Sequence, residues 1–455
     1  MKFSTNSPVL LALCALLAIW ITKWIVHTAA RILTMRRHGC QEPPKYPHKD
    51  PFFGIDLLLL YTKSLESQTF LNLNQNLFAS YGKTFRAKFL GASIIKTIDP
   101  HITKYVHATH FNQFGVENIR IKAAPHLWGD GITMVDGERW ANRRALIKPS
   151  FDVVHISNLG NRSLETHVQR LMRLLPRDGS TVDLMPLFKR LSLDTSSQFI
   201  LGESLDALLS EDAHKEFLDA NFYAQRGTGI RMMIGSRASF FHRDQKWRDA
   251  CQTVNDFLDE RVDKALLRLE KRESTELGGG RGRLRLIDEM AKTTKDRQAL
   301  RFQLQNVLTP ALDSPAIVLS NIFFYLSRNL CIESVVLPSG GGRDGRAPLY
   351  VQKGEIVEMN FRCMLRNKSF WGEDAEEFRP ERWERICPTW EYVPFGGGPR
   401  ICPAMRLVFT EVAYTVVTIA REFASLESRD EKPWTEQMRA TFENKNGAKV
   451  ALIPI

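Results

Sequence analysis

The sequence predicts a mainly helical protein with a small β lobe, preceded by one apolar helix at the N-terminus. Three observations predict this class. Apolar residues recur at helical spacing through most of 149–323 and again in 405–423. In residues 84–98, apolar and polar side chains alternate on both sides of a glycine, which is typical of two paired strands. Residues 8–30 are almost wholly apolar. The composition, with 44% hydrophobic and 25% charged residues, excludes collagen-like, disordered and disulfide-scaffold classes.

The 455 residues carry a net charge of +11, which suits an anionic membrane surface or an acidic partner protein. No basic and aromatic binding pattern accompanies this charge, so we expect no nucleic acid partner. The cysteines are odd in number and have no C-x-x-C spacing, which indicates free thiols in a reducing compartment. They are Cys14, Cys40, Cys251, Cys331, Cys363, Cys387 and Cys402.

The apolar run of residues 8–30 is about long enough to span a bilayer, and its single Lys23 can extend to the interface. The basic residues mostly follow this run, at Arg31, Arg36 and Arg37. This asymmetry favours an uncleaved membrane anchor over 1–38 with the body in the cytosol, and a cleaved signal peptide is the competing interpretation. Residues 39–50 are predicted to be a stiff proline-rich connector to a body that begins at 51.

Periodicity and turn residues predict the elements of the body. Residues 330–350 break this regularity because they show little periodicity. The predicted elements are helices over 164–175, 184–201 and 254–270, strands over 84–89, 93–98, 349–351 and 356–360, a loop over 276–283, and a closing hairpin around Asn446 and Gly447 that pairs 439–442 with 449–453.

Three consecutive glycines precede Cys402, which indicates backbone that turns sharply beside something large and flat. Pro403 fits the first turn of a following helix, so we expect the helix dipole to stabilise a Cys402 thiolate. A heme iron needs a single thiolate on its proximal side, and backbone N–H groups of a glycine turn can tune that sulfur. Arg400 is then expected to pair with a heme propionate. The competing interpretation is a buried structural cysteine beside a flexible loop.

This stretch resembles the signature of the cytochrome P450 monooxygenases, Phe-x-x-Gly-x-Arg-x-Cys-x-Gly. It matches at Phe395, Gly398, Arg400 and Cys402, and it departs at Ala404, where the family usually has glycine. The resemblance implies heme b with Cys402 as the axial ligand to iron. Trp140 and Arg144 resemble the family's Trp-x-x-x-Arg helix, whose indole and guanidinium hold a propionate, although Trp140 can also be an ordinary core residue. A thiol enzyme that uses Cys402 as nucleophile remains an alternative.

Asp313 and Ser314 occupy the positions of the acid and the alcohol that deliver protons in the family's long central helix. An acid beside an alcohol can relay protons from solvent, so the resemblance implies this role for both residues. Ala311 replaces the usual glycine, and Pro310 and Pro315 are unusual because each removes a backbone hydrogen bond. A plain Asp-Ser helix break is the alternative.

One expected part is missing. In the family, a later helix carries Glu-x-x-Arg, whose ion pair holds the segment before the cysteine loop; here residues 377–383 resemble that segment. Nothing in 330–350 can form the Glu-x-x-Arg helix, so we predict a deletion near 330–340. This chain is therefore expected to incorporate heme poorly, and a truncated, catalytically inactive membrane-bound relative is the alternative function.

The resemblance implies a cytochrome P450 fold for residues 51–455 and a microsomal enzyme, single-pass in the endoplasmic reticulum membrane with its catalytic domain in the cytosol. Such an enzyme hydroxylates an apolar substrate with O2, using electrons that NADPH-cytochrome P450 reductase supplies. Within the family the sequence is most similar to fungal alkane and fatty-acid hydroxylases, and tailoring of a fungal secondary metabolite is an alternative of the same chemistry.

Overall fold

A computed structural model describes residues 8–152, 156, 163–210, 212–238, 244–273, 285–320, 326–331, 335–377, 379–429, 431–432, 434–438 and 442–455. Most of these residues are helical. The helices are α1 Pro8–Arg37, α2 Ile55–Glu66, α3 Phe70–Tyr81, α4 Pro100–Lys104, α5 Glu117–Arg120, α6 Gly137–Ile147, α7 Glu165–Leu174, α8 Leu184–Ile200, α9 Lys215–Ala238, α10 Gln245–Glu273, α11 Leu286–Thr293, α12 Arg297–Ser320, α13 Phe361–Met364, α14 Lys368–Trp371 and α15 Met405–Glu422.

The strands form one five-stranded sheet and three smaller ones. The large sheet has the order β1-β2-β8-β5-β3, in which only β2 and β8 are parallel, and the smaller sheets are β4-β12-β9, β6-β7 and β10-β11. The strands are β1 Thr84–Phe89, β2 Ala92–Thr97, β3 Phe114–Gly115, β4 Thr181–Asp183, β5 Leu326–Cys331, β6 Val335–Gly341, β7 Ala347–Val351, β8 Ile356–Asn360, β9 Phe423–Ser428, β10 Glu436–Met438, β11 Phe442–Asn444 and β12 Lys449–Pro454.

The core has two main parts, one under the large sheet and one among the helices. Phe85, Ala87 and Phe89 alternate into the first part from β1, as the period of two in a strand requires. In the helical part, Leu304 and Leu308 of α12 lie at helical spacing and are fully buried among α10 and α11. The long helix α12 therefore runs through the middle of the body and can present residues to a site.

Several predicted elements are confirmed. The predicted helices over 164–175, 184–201 and 254–270 correspond to α7, α8 and part of α10, and the strands over 84–98 and 349–360 are present in nearly the predicted bounds. The first helix is longer than predicted and ends at Arg37, because the basic residues continue it and suit its C-terminal end. The predicted loop over 276–283 lies outside the described residues.

The predicted closing hairpin is wrong. Gly447 does make a turn with a φ of +77°, but the strands described on its two sides, β11 and β12, do not pair with each other; residues 439–441 lie outside the described residues. Instead β11 pairs with β10, and β12 pairs with β4 and β9. The Asn-Gly signal predicted the turn correctly, whereas the partner of each strand was decided by packing of distant segments.

Six strands were not predicted, namely β3, β4, β5, β6, β9 and β10, and two of them, β5 and β6, adjoin the region of low periodicity. β5 follows α12 and joins the large sheet between β8 and β3, and β6 pairs with β7. Both lie where the sequence shows little alternation, so periodicity gave no signal for them. Among the described residues, one helix is long and apolar enough to cross a membrane, over Cys14–Arg37 near the N-terminus.

Candidate functional site at Cys402

The cysteine loop is closed by its own backbone. The N–H of Cys402 donates to the carbonyl of Phe395 at 3.0 Å, and the N–H of Ile401 donates to the carbonyl of Gly398 at 3.1 Å. Gly396 and Gly398 have φ values of +74° and +65°, which side chains other than glycine rarely adopt. The glycines are therefore required by the turn that presents Cys402.

Gly398 has a second constraint, which is the close approach of another backbone. A Cβ atom at this position would collide with the carbonyl oxygen of His107, in the helical turn Tyr105–Thr109. Burial and the nearby Arg400 lower the pKa of His107 to about 4, so its ring is neutral at physiological pH. Its buried Nε2 has no hydrogen-bond partner in the described part of the chain.

The Cys402 sulfur receives backbone hydrogen bonds from Ala404 and Met405, which lower its pKa, as does the nearby guanidinium of Arg144. Burial acts in the opposite direction and is the larger effect, so the pKa of this thiol lies above its ordinary value. The N–H groups at the start of the helix therefore favour the thiolate, as expected, but burial outweighs them in the protein alone. The helix also begins at Met405, so Pro403 precedes it rather than opening it.

The helix α6 places Trp140 and Arg144 on one face, four residues apart, beside the cysteine loop. Arg144 Nη1 donates to the carbonyl of Ile401 at 2.9 Å. Arg400 Nη2 donates to Asp136 Oδ1 at 2.6 Å and to the carbonyl of Val135 at 2.8 Å. The Arg400 guanidinium also lies over the Trp140 ring, 5.0 Å from its centroid. The structure thus places the side chains of Trp140, Arg144, Arg400 and Cys402 beside one another.

These residues fit a heme. A heme needs one axial ligand and cationic or N–H donors for two carboxylates, and Cys402, Arg144, Arg400 and Trp140 supply that set. Arg400 already forms an ion pair with the carboxylate of Asp136, and a propionate carries the same carboxylate group. The sulfur is surrounded by N–H donors and a guanidinium that favour its anionic form once a metal competes for the proton.

The predicted relay residues lie in α12, which continues through both of its prolines. Asp313 belongs to this helix, but its side chain lies outside the described part of the chain; Ser314 is half-buried. Ala311, one turn earlier, packs in the same apolar cluster as Ala404 and Leu407, which follow the cysteine. The helix α12, which carries Asp313 and Ser314, is therefore in contact with α15, the helix that follows the cysteine loop.

Pro315 has no N–H, so the Ala311 carbonyl loses its partner within the helix. Ser196 Oγ of α8 donates to this carbonyl at 2.8 Å. Sequence reasoning predicted that each proline removes a backbone hydrogen bond, but not the hydroxyl that compensates for it; the alternative of a helix break is wrong, because α12 continues through both prolines. No local signal points to Ser196, because it lies 115 residues before Ala311 in the chain.

Two further residues were missed. Asp136, the partner of Arg400, also accepts the N–H groups of Val116 and Glu117 at 2.7 Å. Glu411 of α15 is fully buried and its carboxyl bonds to Thr195 Oγ1 at 3.0 Å, and burial raises its pKa to about 7. Glu411 lies three residues after the buried Val408, so helical periodicity would have placed it inside.

Comparison with known proteins gives one consistent result. The family model described as Cytochrome P450 matches residues 44–336 and 345–450. The cytochrome P450 monooxygenase iccC of Talaromyces variabilis is 32% identical, with 98% of this chain and 99% of the relative covered. The monooxygenases apdE of Emericella nidulans and opdE of Penicillium oxalicum are also 32% identical, with 94% and 91% of this chain and 91% and 98% of each relative covered.

The relatives are longer within the aligned region. The alignment with iccC has 506 positions, whereas 98% of 455 residues is about 446, so about 60 positions have no residue of this chain. The alignments with fumoA of Cordyceps fumosorosea and tenA of Beauveria bassiana have 507 and 508 positions at the same 98% coverage, and so the same excess. The place of the missing residues, near 330–340, stays a prediction; the family match is interrupted over 337–344.

Proposed function

Because the chain belongs to the cytochrome P450 family, whose members are monooxygenases that bind heme b through a cysteine thiolate, we propose that it hydroxylates an apolar substrate. In this reaction one atom of O2 enters a C–H bond, and the other leaves as water. The two electrons come from NADPH through NADPH-cytochrome P450 reductase, and two protons come from solvent. The observation that carries the proposal is the Cys402 sulfur, enclosed by two backbone N–H groups and the Arg144 guanidinium.

The residues divide the work as follows. Cys402 would hold the heme iron through its thiolate, and the heme would supply the iron centre for the oxygen chemistry of the family. Arg144, Arg400 and Trp140 would bind the propionates, and Phe395 and Gly398 shape the loop. Asp313 and Ser314 are proposed to bring protons from solvent into the site.

An apolar substrate is supported by the surroundings of α12. Leu308 and Leu312 of this helix are buried in an apolar cluster that also includes Trp128 and Trp140. The names of the relatives give a cytochrome P450 monooxygenase and no substrate. Alkanes, fatty acids and fungal secondary metabolites therefore all remain substrates to test.

The proposed location is the endoplasmic reticulum membrane, with α1 as the single anchor and the catalytic domain in the cytosol. The length and apolar character of Cys14–Arg37 support the anchor. Arg406 is exposed in the first turn of α15, directly after the cysteine loop, and the net charge is +11. A basic surface at this place suits an acidic reductase as the electron donor.

A second candidate is a truncated, catalytically inactive relative that keeps the anchor and part of the heme site. The observation that favours it is the excess of about 60 positions in the relatives. If these positions include the Glu-x-x-Arg helix, the brace of the segment before the cysteine loop is lost. We therefore expect the chain to bind heme at well below one per protein.

The first test is the spectrum of the ferrous carbonyl form of the full chain in detergent, with heme supplied during expression. We expect a weak Soret band at the thiolate position, and we expect Cys402→Ala to abolish it. The matched control is Cys251→Ala, which removes another buried thiol whose pKa is raised by burial to about 12 and which packs only in the helical core. A thiolate band that persists in Cys402→Ala would refute the assignment of the ligand.

The second test separates the two candidates by turnover. The heme-loaded fraction is incubated with reductase, NADPH and dodecane or lauric acid, and hydroxylated product is measured by mass spectrometry. Product supports the monooxygenase, whereas bound heme without product supports the inactive relative. A chimera that receives the residues of iccC at the predicted deletion, between positions 330 and 340, should then raise heme occupancy several-fold if the lost brace is the cause.

A further inference from the structure

A basic cleft lies on the surface of the β part. Its volume is about 800 Å³, and three segments form its walls: the end of α3 with the start of β1, α4 with the turn that follows it, and the hairpin that joins β6 to β7. This volume is ample for the headgroup of a lipid or a comparable polar molecule. None of the residues assigned to heme lines the cleft.

Four cationic side chains line the cleft, namely Lys83, Lys104, Arg343 and Arg346. All four are exposed, and none of them is in an ion pair within the residues that the structure describes. Lone surface cations in water are ordinary, but four that converge on one concavity create a local positive potential.

The acidic residues of the cleft do not neutralise these cations directly. Asp99 is occupied by two donors, since it accepts the Ser339 hydroxyl at 3.1 Å and the N–H of His101 at 2.8 Å. Asp344 accepts the N–H of Arg346 at 3.1 Å, within the hairpin tip. The cleft therefore keeps an excess of two positive charges and free N–H donors of both Lys and Arg type, which suits a phosphate group.

The same hairpin is the place where the connector from α1 meets the body. The N–H of Gln41 donates to the carbonyl of Pro348 at 3.0 Å, and the N–H of Gly342 donates to the carbonyl of Glu42 at 3.2 Å. Since α1 ends at Arg37, Gln41 is only the fourth residue beyond its end, a span of at most about 14 Å. If α1 crosses a membrane, the cleft lies at the level of the lipid headgroups or just above it.

From these two observations we propose that the cleft binds the phosphate headgroup of an anionic phospholipid in the leaflet from which α1 emerges. The inference rests on the proposed membrane anchor. Anionic lipids give that surface a negative potential, which attracts basic side chains within about one Debye length, roughly 8 Å in the cell. In addition to this general attraction, the cleft provides a defined binding site in which the headgroup contacts several cationic side chains at once.

The consequence is a second attachment of the body to the membrane. Without a bound lipid, α1 and the connector attach the body to the membrane at one place, where Arg31 of α1 pairs with Glu42 of the connector. A headgroup held between the hairpin and α4 adds a second place of attachment, which forms at high effective concentration because it is linked to the first. The bound lipid thus determines which face of the body lies toward the membrane.

The test uses the full chain in lipid nanodiscs of phosphatidylcholine alone, or of phosphatidylcholine with one fifth phosphatidylserine. The readout is the rate of trypsin cleavage after Arg343 and Arg346, measured by mass spectrometry against cleavage at sites elsewhere. Each basic residue near an anionic surface contributes about fivefold in binding, so we expect at least fivefold slower cleavage with phosphatidylserine.

The variant Lys83→Glu with Lys104→Glu changes the opposite wall of the cleft and leaves both cleavage sites intact. It should lose most of the protection by phosphatidylserine. The control changes two exposed lysines of α10 and α11, Lys264→Glu with Lys292→Glu, by the same charge, and it should keep the protection. Circular dichroism verifies that each variant is folded.

Separate outcomes identify which proposal fails. If the chain does not co-purify with discs of phosphatidylcholine alone, the anchor is wrong, and the cleft loses its ligand with it. If the chain co-purifies but cleavage is equally fast with phosphatidylserine, or equally slow in the cleft variant, the cleft proposal is wrong and the anchor stands. Inorganic phosphate is added to phosphatidylcholine discs as a further arm, and full protection by phosphate alone would refute a lipid as the occupant.

Discussion

The two helices that meet at the candidate site, α15 and α12, bring polar groups into a buried region in opposite ways. At the start of α15, the N–H groups of Ala404 and Met405 bond to the sulfur of Cys402, two and three residues before them. In α12, Pro315 removes an N–H, and the carbonyl left free is satisfied by Ser196 from another helix. One side of the site is built from adjacent residues, whereas the other depends on a distant one.

The helix α8 contacts both sides. Thr195 bonds to Glu411 of α15, and its neighbour Ser196 bonds to the Ala311 carbonyl of α12. Two successive hydroxyl side chains thus join the helix that follows the cysteine to the helix that carries the predicted relay. Substitutions in the cysteine loop, the local side, should each lower the free energy of unfolding strongly and independently. Substitutions at the contact of α8 with α12, the distant side, should have effects that depend on each other.

The largest effect is expected on the local side, from Gly398→Ala. The added Cβ would meet the backbone carbonyl of His107, and the φ of +65° adds strain, so we expect a loss of about 3 to 5 kcal/mol in the free energy of unfolding. Gly396→Ala is the matched control, because its φ is +74° but nothing lies within 4 Å of the added atom.

That control should lose only about 1 kcal/mol, the strain of the left-handed backbone alone. Chemical denaturation of both variants in detergent, followed by tryptophan fluorescence, measures the difference. Equal losses in the two variants would mean that the approach of the Tyr105–Thr109 turn to the loop does not occur in solution.

The same contrast explains what the sequence could predict. Cys402, Arg400, Trp140 and Arg144 were identified because each pair lies within four residues, and such spacing fixes a shared loop or helix face. Their assembly into one site followed from the resemblance, not from periodicity. What escaped prediction is the pairing of groups far apart in the chain, such as Glu411 with Thr195, which lies 216 residues before it.

The same distinction between neighbouring and distant residues applies to the prediction of secondary structure. The helices α7 and α8 were predicted from their own periodicity, and the β1–β2 hairpin from its alternation around Gly91. The strand β5 carries no such pattern, because its place is given by β8 and β3 on either side of it. Local sequence determines an element where its own residues form the pattern, and tertiary pairing determines the rest.

The next effect concerns Glu411. Burial raises the pKa of its carboxyl group from the usual 4.5 to about 7. Since the folded-state pKa is the higher one, the folded protein binds this proton more tightly than the unfolded chain. The contribution of Glu411 to stability is therefore complete below pH 4.5 and is lost as the pH rises through 7. The full loss is about 3 kcal/mol, from 1.36 kcal/mol for each pH unit.

Glu411→Gln keeps a hydrogen bond to Thr195 and removes the carboxyl proton that titrates. We expect its free energy of unfolding to vary less with pH than that of the natural chain, by about 3 kcal/mol between pH 5 and 8. Glu270→Gln changes an exposed side chain and is the control, with the pH dependence of the natural chain. Parallel pH curves for the Glu411→Gln variant and the natural chain would show that Glu411 is solvated or already paired.

The smallest effect tests the distant side, through a double-mutant cycle. Ser196→Ala leaves the Ala311 carbonyl without a donor, so we expect a loss of about 1 to 2 kcal/mol in the natural background. In a Pro315→Ala background the new N–H of residue 315 can bond to that carbonyl within the helix. The cost of Ser196→Ala should then fall to a few tenths of a kcal/mol, and the difference between the two backgrounds is the coupling.

Ser197→Ala is the matched control, since its hydroxyl accepts the N–H of Leu205 and makes no contact with the Ala311 carbonyl. Its cost should be the same in the natural background and in the Pro315→Ala background. A role of Ser196 in general packing would give equal costs in both backgrounds, whereas rescue by Pro315→Ala is specific to the freed carbonyl. The cycle therefore determines whether α8 holds the proline turn of α12 by this single hydrogen bond, and with it the turn that carries Asp313 and Ser314.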